Sequence, residues 1–302
     1  MFLLVSATAL AQYDVVFSHY FDMETSYNPA AVGKTSVMNV NVAYAMDLAG
    51  FEHNPQTAYI SGDMPFIMGN STNGVGLVFM NDKLGLFSHM RLEAQYAIKQ
   101  RLAGGTLSVG VQAGLLSETF DGSKLDLADS NDPAFSSSEL NGNGLDVAAG
   151  VYYSRKNWYA GLSAQHLTAP TIHLGETNEL KIKASYYATA GYDIQLRNPM
   201  VKIKTSGLAR YDGTMFRGDV TARLFYTNEN RLLYGGLGYS PTNSVTLMIG
   251  GKVQEFILGY SYEWFTSGVN PGYGSHELHV GYQMDINLTK KGKNLHKSVR
   301  LL

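Results

Sequence analysis

The chain has 302 residues, 23 Lys and Arg against 25 Asp and Glu, a formal net charge of −2, and no cysteine. Near-neutral charge argues against a polyanion such as nucleic acid as partner, and the missing cysteines exclude a disulfide framework, a thiolate metal site and a cysteine nucleophile. With 32 Gly, 20 Tyr and 13 Phe but only 16% charged residues, the balance suits glycine-rich strands banded by aromatics better than a helical enzyme.

Residues 1–11 form a short apolar run closed by Ala9-Leu10-Ala11, which predicts the end of a secretory signal peptide. Residues 12–34 do not alternate. Asn28-Pro29 and Gly33 are turn formers, so an ordered but irregular segment is expected on the periplasmic side, ahead of the first strand. No stretch approaches the roughly 18 to 20 apolar residues of a spanning helix.

From residue 37 onward the sequence repeats with a period of two. In 182–194, Ile182, Ala184, Tyr186, Ala188, Ala190, Tyr192 and Ile194 alternate with Lys183, Ser185, Thr189 and Asp193. Such a strand has one apolar and one polar face, and at about 3.3 Å per residue it is long enough to cross a bilayer while tilted. Fourteen such segments are predicted: 37–46, 56–64, 74–81, 89–100, 106–119, 145–154, 158–167, 182–195, 201–211, 217–226, 232–239, 245–251, 255–265 and 277–286. The fold class expected is all-β, a closed antiparallel transmembrane β-barrel occupying 12–288. An even strand number lets both chain ends lie on one side. Most connections on that side are short, with 65–73 the long exception, whereas 120–144, 169–181 and 266–276 are long and fall on the other. Arg91, Glu93, Gln95 and Lys99 face inward by parity, which predicts a water-filled lumen. Tyr152, Tyr187, Phe225 and Ile257 also face inward, which predicts that the lumen is partly filled. The basic tail 289–302 is expected in the periplasm, available to an acidic partner or to lipid headgroups.

The chemistry-bearing candidates are few. His276 points away from Glu277 and His279 in a strand, so this trio fits the ordering of a rim loop better than a metal site. Gly259-Tyr260-Ser261-Tyr262-Glu263 approaches a nucleophile elbow, but that turn joins a strand to a helix and Ser261 is expected mid-strand. The acids of 120–144 offer no calcium-loop register. No catalytic residue, cofactor or metal is predicted.

Two segments carry a resemblance. Phe17-Ser18-His19-Tyr20, followed by Tyr27-Asn28-Pro29-Ala30 and Gly33, resembles the opening signature of the PorP/SprF family of type IX secretion outer-membrane proteins. Gly259-Tyr260-Ser261-Tyr262-Glu263, then Gly274-Ser275-His276-Glu277 and Gly281-Tyr282, resembles the family's last hairpin. Met23-Glu24-Thr25-Ser26 stands where the family pattern is more apolar. The resemblance implies a non-enzymatic barrel of fourteen strands in the outer membrane, and strand parity places both termini in the periplasm. It implies a role in export or surface attachment of large cargo proteins bearing a C-terminal signal domain, such as gliding adhesins. The implied partners are the translocon, its periplasmic ring and outer-membrane lipid. From the residues alone, a general porin or solute channel is the alternative.

Overall fold

A computed structural model describes residues 13–69, 71–122, 139–175, 178–229, 231–241, 243–267 and 272–286. The run 1–11, expected to end a signal peptide, and the basic tail 289–302 lie outside the described residues, as do Asp126, Asp129 and Asp132.

The strands are β1 (Val37–Met46), β2 (Gln56–Met68), β3 (Ser71–Leu84), β4 (Phe87–Leu102), β5 (Gly105–Asp121), β6 (Glu139–Arg155), β7 (Trp158–Gln165), β8 (Thr171–Leu174), β9 (Asn178–Lys181), β10 (Ser185–Gln195), β11 (Val201–Tyr211), β12 (Phe216–Asn228), β13 (Arg231–Ser240), β14 (Ser244–Val253), β15 (Phe256–Phe265) and β16 (Ser275–Asp285). Fourteen of them close into one antiparallel barrel in which β1 pairs with β16, and β8 and β9 form a separate two-stranded hairpin. Closure leaves no open sheet edge, which a strand protein needs in hydrocarbon.

Side-chain parity explains the wall. Leu77, Leu145, Leu162, Leu233, Leu237 and Ile249 are all at least 60% exposed on its outside, an arrangement suited to lipid and costly in water. Aromatic residues band this face near both ends, with Trp158, Tyr192 and Phe256 at one and Tyr186, Tyr211 and Trp264 at the other.

Connections 69–70, 103–104, 156–157, 196–200, 229–230 and 254–255 all lie at the end of the barrel where β1 starts and β16 stops. This is the tight-turn end. The long exception expected at 65–73 is absent, because β2 and β3 pair from Gln56↔Lys83 to Met68↔Ser71. At the opposite, long-loop end, β5 runs on to Asp121 and β6 starts at Glu139, so residues 120–121 and 139–144 of the loop expected at 120–144 are strand. The strand expected from residue 182 starts at Ser185. Ile182 is instead 1% exposed, packed with Leu116 of β5 and Ile172 of β8 against the inner wall. Its outward parity held only on paper, because the β8–β9 hairpin folds inward and takes Ile182 with it.

Candidate functional site: a plug threaded through the lumen

Residues 13–34 fill the barrel. The expected periplasmic placement of this segment is corrected, and so is the water-filled lumen: Phe17, Tyr20, Phe21, Met23, Tyr27 and Val32 are each 5% exposed or less. Tyr13 sits at the long-loop end, where its hydroxyl donates to Glu118 and its ring meets His89 and His166 edge-on. Lys34 sits at the tight-turn end, beside the start of β1. The chain therefore threads its own barrel, and the first and last described residues lie at opposite ends rather than on one side.

Local sequence sets the shape of the plug. Met23-Glu24-Thr25-Ser26 holds a single 3-10 turn, Glu24–Ser26, and Asn28 caps a second, Pro29–Ala31, by accepting the Ala30 amide at 2.9 Å. The polar departure at 23–26 thus has partners: Glu24 pairs with Lys34 and Thr25 bonds the Tyr59 hydroxyl at 3.1 Å. Gly33 has φ +60, and a Cβ there would stand 2.9 Å from the Gly74 Cα and 3.0 Å from the Met64 carbonyl oxygen. Wall glycines make the seat: a Cβ on Gly110 would lie 2.4 Å from the Ala30 nitrogen, and one on Gly150 2.2 Å from Asn28 Oδ1.

An irregular backbone in a closed space leaves polar groups that must find partners. Wall side chains supply them. Gln95 donates to the Thr25 carbonyl at 2.7 Å, Ser163 to Tyr27 at 2.6 Å, Ser108 to Ala30 at 2.7 Å, and Lys99 to Val32. Asp63 accepts the Gly33 amide at 2.7 Å. Glu277 accepts from the Ser18 amide at 2.6 Å and the His19 amide at 3.0 Å, and its Oε1 lies 2.6 Å from His19 Nδ1. At the long-loop end, the Asp14 carboxylate accepts from Arg91 at 3.0 Å and Tyr187 at 2.7 Å and lies 2.9 Å from His166 Nε2, while Arg210 donates to the Asp14 carbonyl at 3.0 Å. Apolar packing completes the fit: Phe17 lies against Tyr59, Val78 and Met80, and Tyr20, Phe21 and Tyr27 against Tyr187, Leu208, Phe225 and Tyr234.

The two signature segments meet in the lumen. Phe17, Ser18, Tyr20, Tyr27, Asn28, Pro29 and Gly33 belong to the plug, and Gly259, Ser261, Glu277 and Gly281 lie on the wall's inner side. A Cβ on Gly259 would be 2.7 Å from His19 Nε2. Tyr260, Tyr262, His276 and Tyr282 lie on the outer face, where His276 Nδ1 is 2.7 Å from the Tyr260 hydroxyl. Gly274 and Ser275 are at the long-loop rim, and Ser275 Oγ accepts the Leu48 amide at 3.0 Å. Tyr13, Asp14, Asp63, Lys99 and His166 were not singled out from sequence. Lys99 showed only inward parity, and Asp14 lies in a stretch with no alternation to mark it. Among the described residues, no group of three or more His, Asp or Glu is arranged to hold a metal ion.

A family model described as type IX secretion system membrane protein PorP/SprF matches residues 9–282. No curated protein sequence matches the chain. Of solved structures, the CymD monoaromatic hydrocarbon channel is similar with a TM-score of 0.51 at 10% identity, covering 89% of this chain and 93% of that chain. A Pseudomonas aeruginosa FadL homologue gives a TM-score of 0.48 at 10% identity, covering 86% and 93%. At such identity the first likeness speaks to the barrel fold alone. With the match running from the plug to the last strand, the chain belongs to the type IX secretion system membrane protein PorP/SprF family and is an outer-membrane component of that secretion system.

Proposed function

We propose that this barrel supports the export or surface attachment of large cargo proteins carrying a C-terminal signal domain, of the gliding-adhesin type, beside the translocon and its periplasmic ring. The tight-turn end faces the periplasm in this reading, as short turns do in outer-membrane barrels. The observation that carries it is the family match over a barrel whose lumen is blocked in its middle by its own residues 13–34, packed against the inner wall. A packed lumen favours a docking role over bulk solute passage, and so counts against the general-porin alternative. Deleting the gene tests it: cargo should disappear from the surface of intact cells, scored by protease shaving, while unrelated outer-membrane proteins stay at normal level. An unchanged surface cargo pattern would reject the proposal.

A further inference from the structure

At the tight-turn end the barrel opens into a vestibule of about 870 Å³, closed at its floor by the plug. Its walls carry Lys34, Arg101, Arg155, Lys156, Lys204 and Arg223, and only three acids, Asp22, Glu24 and Asp193. Two of those acids are engaged, Glu24 with Lys34 and Asp193 with Lys202 at 3.5 Å.

Lys204 and Arg223 stand directly opposite each other in the β11–β12 register. Like charges in that relation repel. Arg223 is 6% exposed, with its guanidinium carbon 3.2 Å from the centre of the Phe21 ring and its Nε without a hydrogen-bond partner. Lys204 Nζ lies 5.0 Å from the Phe225 ring. Among the described residues neither cation has an acid within the 4.0 Å of an ion pair. Asp193, which is paired with Lys202, and Asp22 act on Lys204 only from farther away. The aromatic rings offset part of the cost of burying this pair. A carboxylate or other anion between them would offset much of the rest, since buried charge calls for a partner.

Farther out, Arg101, Arg155 and Lys156 are exposed at the neighbouring turns, beside Trp158. Positive charge therefore extends from floor to mouth instead of converging on one point. A lone phosphate would meet only the floor pair, whereas an extended chain with successive carboxylates meets the whole series. The vestibule opens along the barrel axis, away from the lipid-facing band, which sets it apart from a headgroup site. We propose that it binds an acidic peptide segment, Lys204 and Arg223 taking one carboxylate at the floor and Arg101, Arg155 and Lys156 taking the next ones toward the mouth. This inference requires the barrel and the plug but not the secretion role above.

Isothermal titration calorimetry on detergent-solubilised protein reads binding directly, with hexaglutamate and inorganic phosphate as probes. Saturable hexaglutamate binding that weakens with salt is expected. It should fall roughly tenfold or more in the Lys204→Gln, Arg223→Gln double variant, persist in Arg223→Lys, and be unaltered by Lys83→Gln at the far end. Heat-modifiable migration on a gel verifies that each variant is folded. Absence of saturable binding, equal affinity in a folded double variant, or phosphate binding as tightly as hexaglutamate would each overturn the proposal, the last by reducing it to a simple anion site.

Discussion

Two carboxylates do much of the anchoring of the plug. Glu277 collects two backbone amides and an imidazole, and Asp14 collects an arginine, a tyrosine and a histidine. Hydrogen bonds to a charged acceptor are stronger than neutral ones, and removing the acceptor strands several buried donors. His166 lies in the loop after β7 with Asp14 on one side and Asp146 on the other. Burial alone pulls its pKa down, but the two carboxylates, Asp14 first, outweigh it and push it up to about 9. Because the folded value is raised, protonation of His166 stabilises the fold fully below its ordinary value of about 6.5, and the contribution is lost as pH rises through about 9. The His166 imidazole resonance should therefore titrate near 9 in the intact protein, and in Asp14→Asn its midpoint should move down toward 6.5. A midpoint unaffected by that substitution would remove Asp14 as the cause.

At the level of elements, wall and plug obey different rules. A strand satisfies its backbone through its neighbours, so its side chains are free to alternate between lipid and lumen. The plug has no neighbour strand, and its backbone is met by Gln95, Lys99, Ser108 and Ser163 projecting from the wall. Alternation in 91–99 was legible in the sequence, but its meaning was not. Inward Arg, Glu, Gln and Lys look the same whether they face water or the carbonyls of a segment some seventy residues away. A fourteen-stranded ring has room for water once emptied. Full-length protein in a planar bilayer should accordingly be silent, and a variant lacking residues 13–34 should conduct. If both behave alike, the plug does not close the lumen.

For the molecule as a whole, threading puts Tyr13 and Asp285 at opposite mouths while β1 and β16 still close the ring. The natural absence of cysteine makes topology directly measurable. Asp212→Cys, in a long-loop-end connection, should react with a membrane-impermeant maleimide on intact cells. Asn198→Cys, at the tight-turn end, should react only after the outer membrane is breached. The reverse pattern would invert the barrel and with it the side to which the vestibule opens.

Residue order by itself determined the fourteen strands of the ring and, apart from the start of the strand expected at 182, which face of each meets lipid, because a period of two is a local property that survives whatever the neighbours are; the short hairpin β8–β9 carried no such signal. It also marked the signature segments at both ends of the chain. Only the tertiary structure decided that 13–34 lies inside the barrel, that Glu277 holds His19, and that Lys204 and Arg223 confront each other across two strands. Those are contacts between residues distant in sequence, created when the ring closes, and no spacing along the chain encodes which side chains closure will bring face to face.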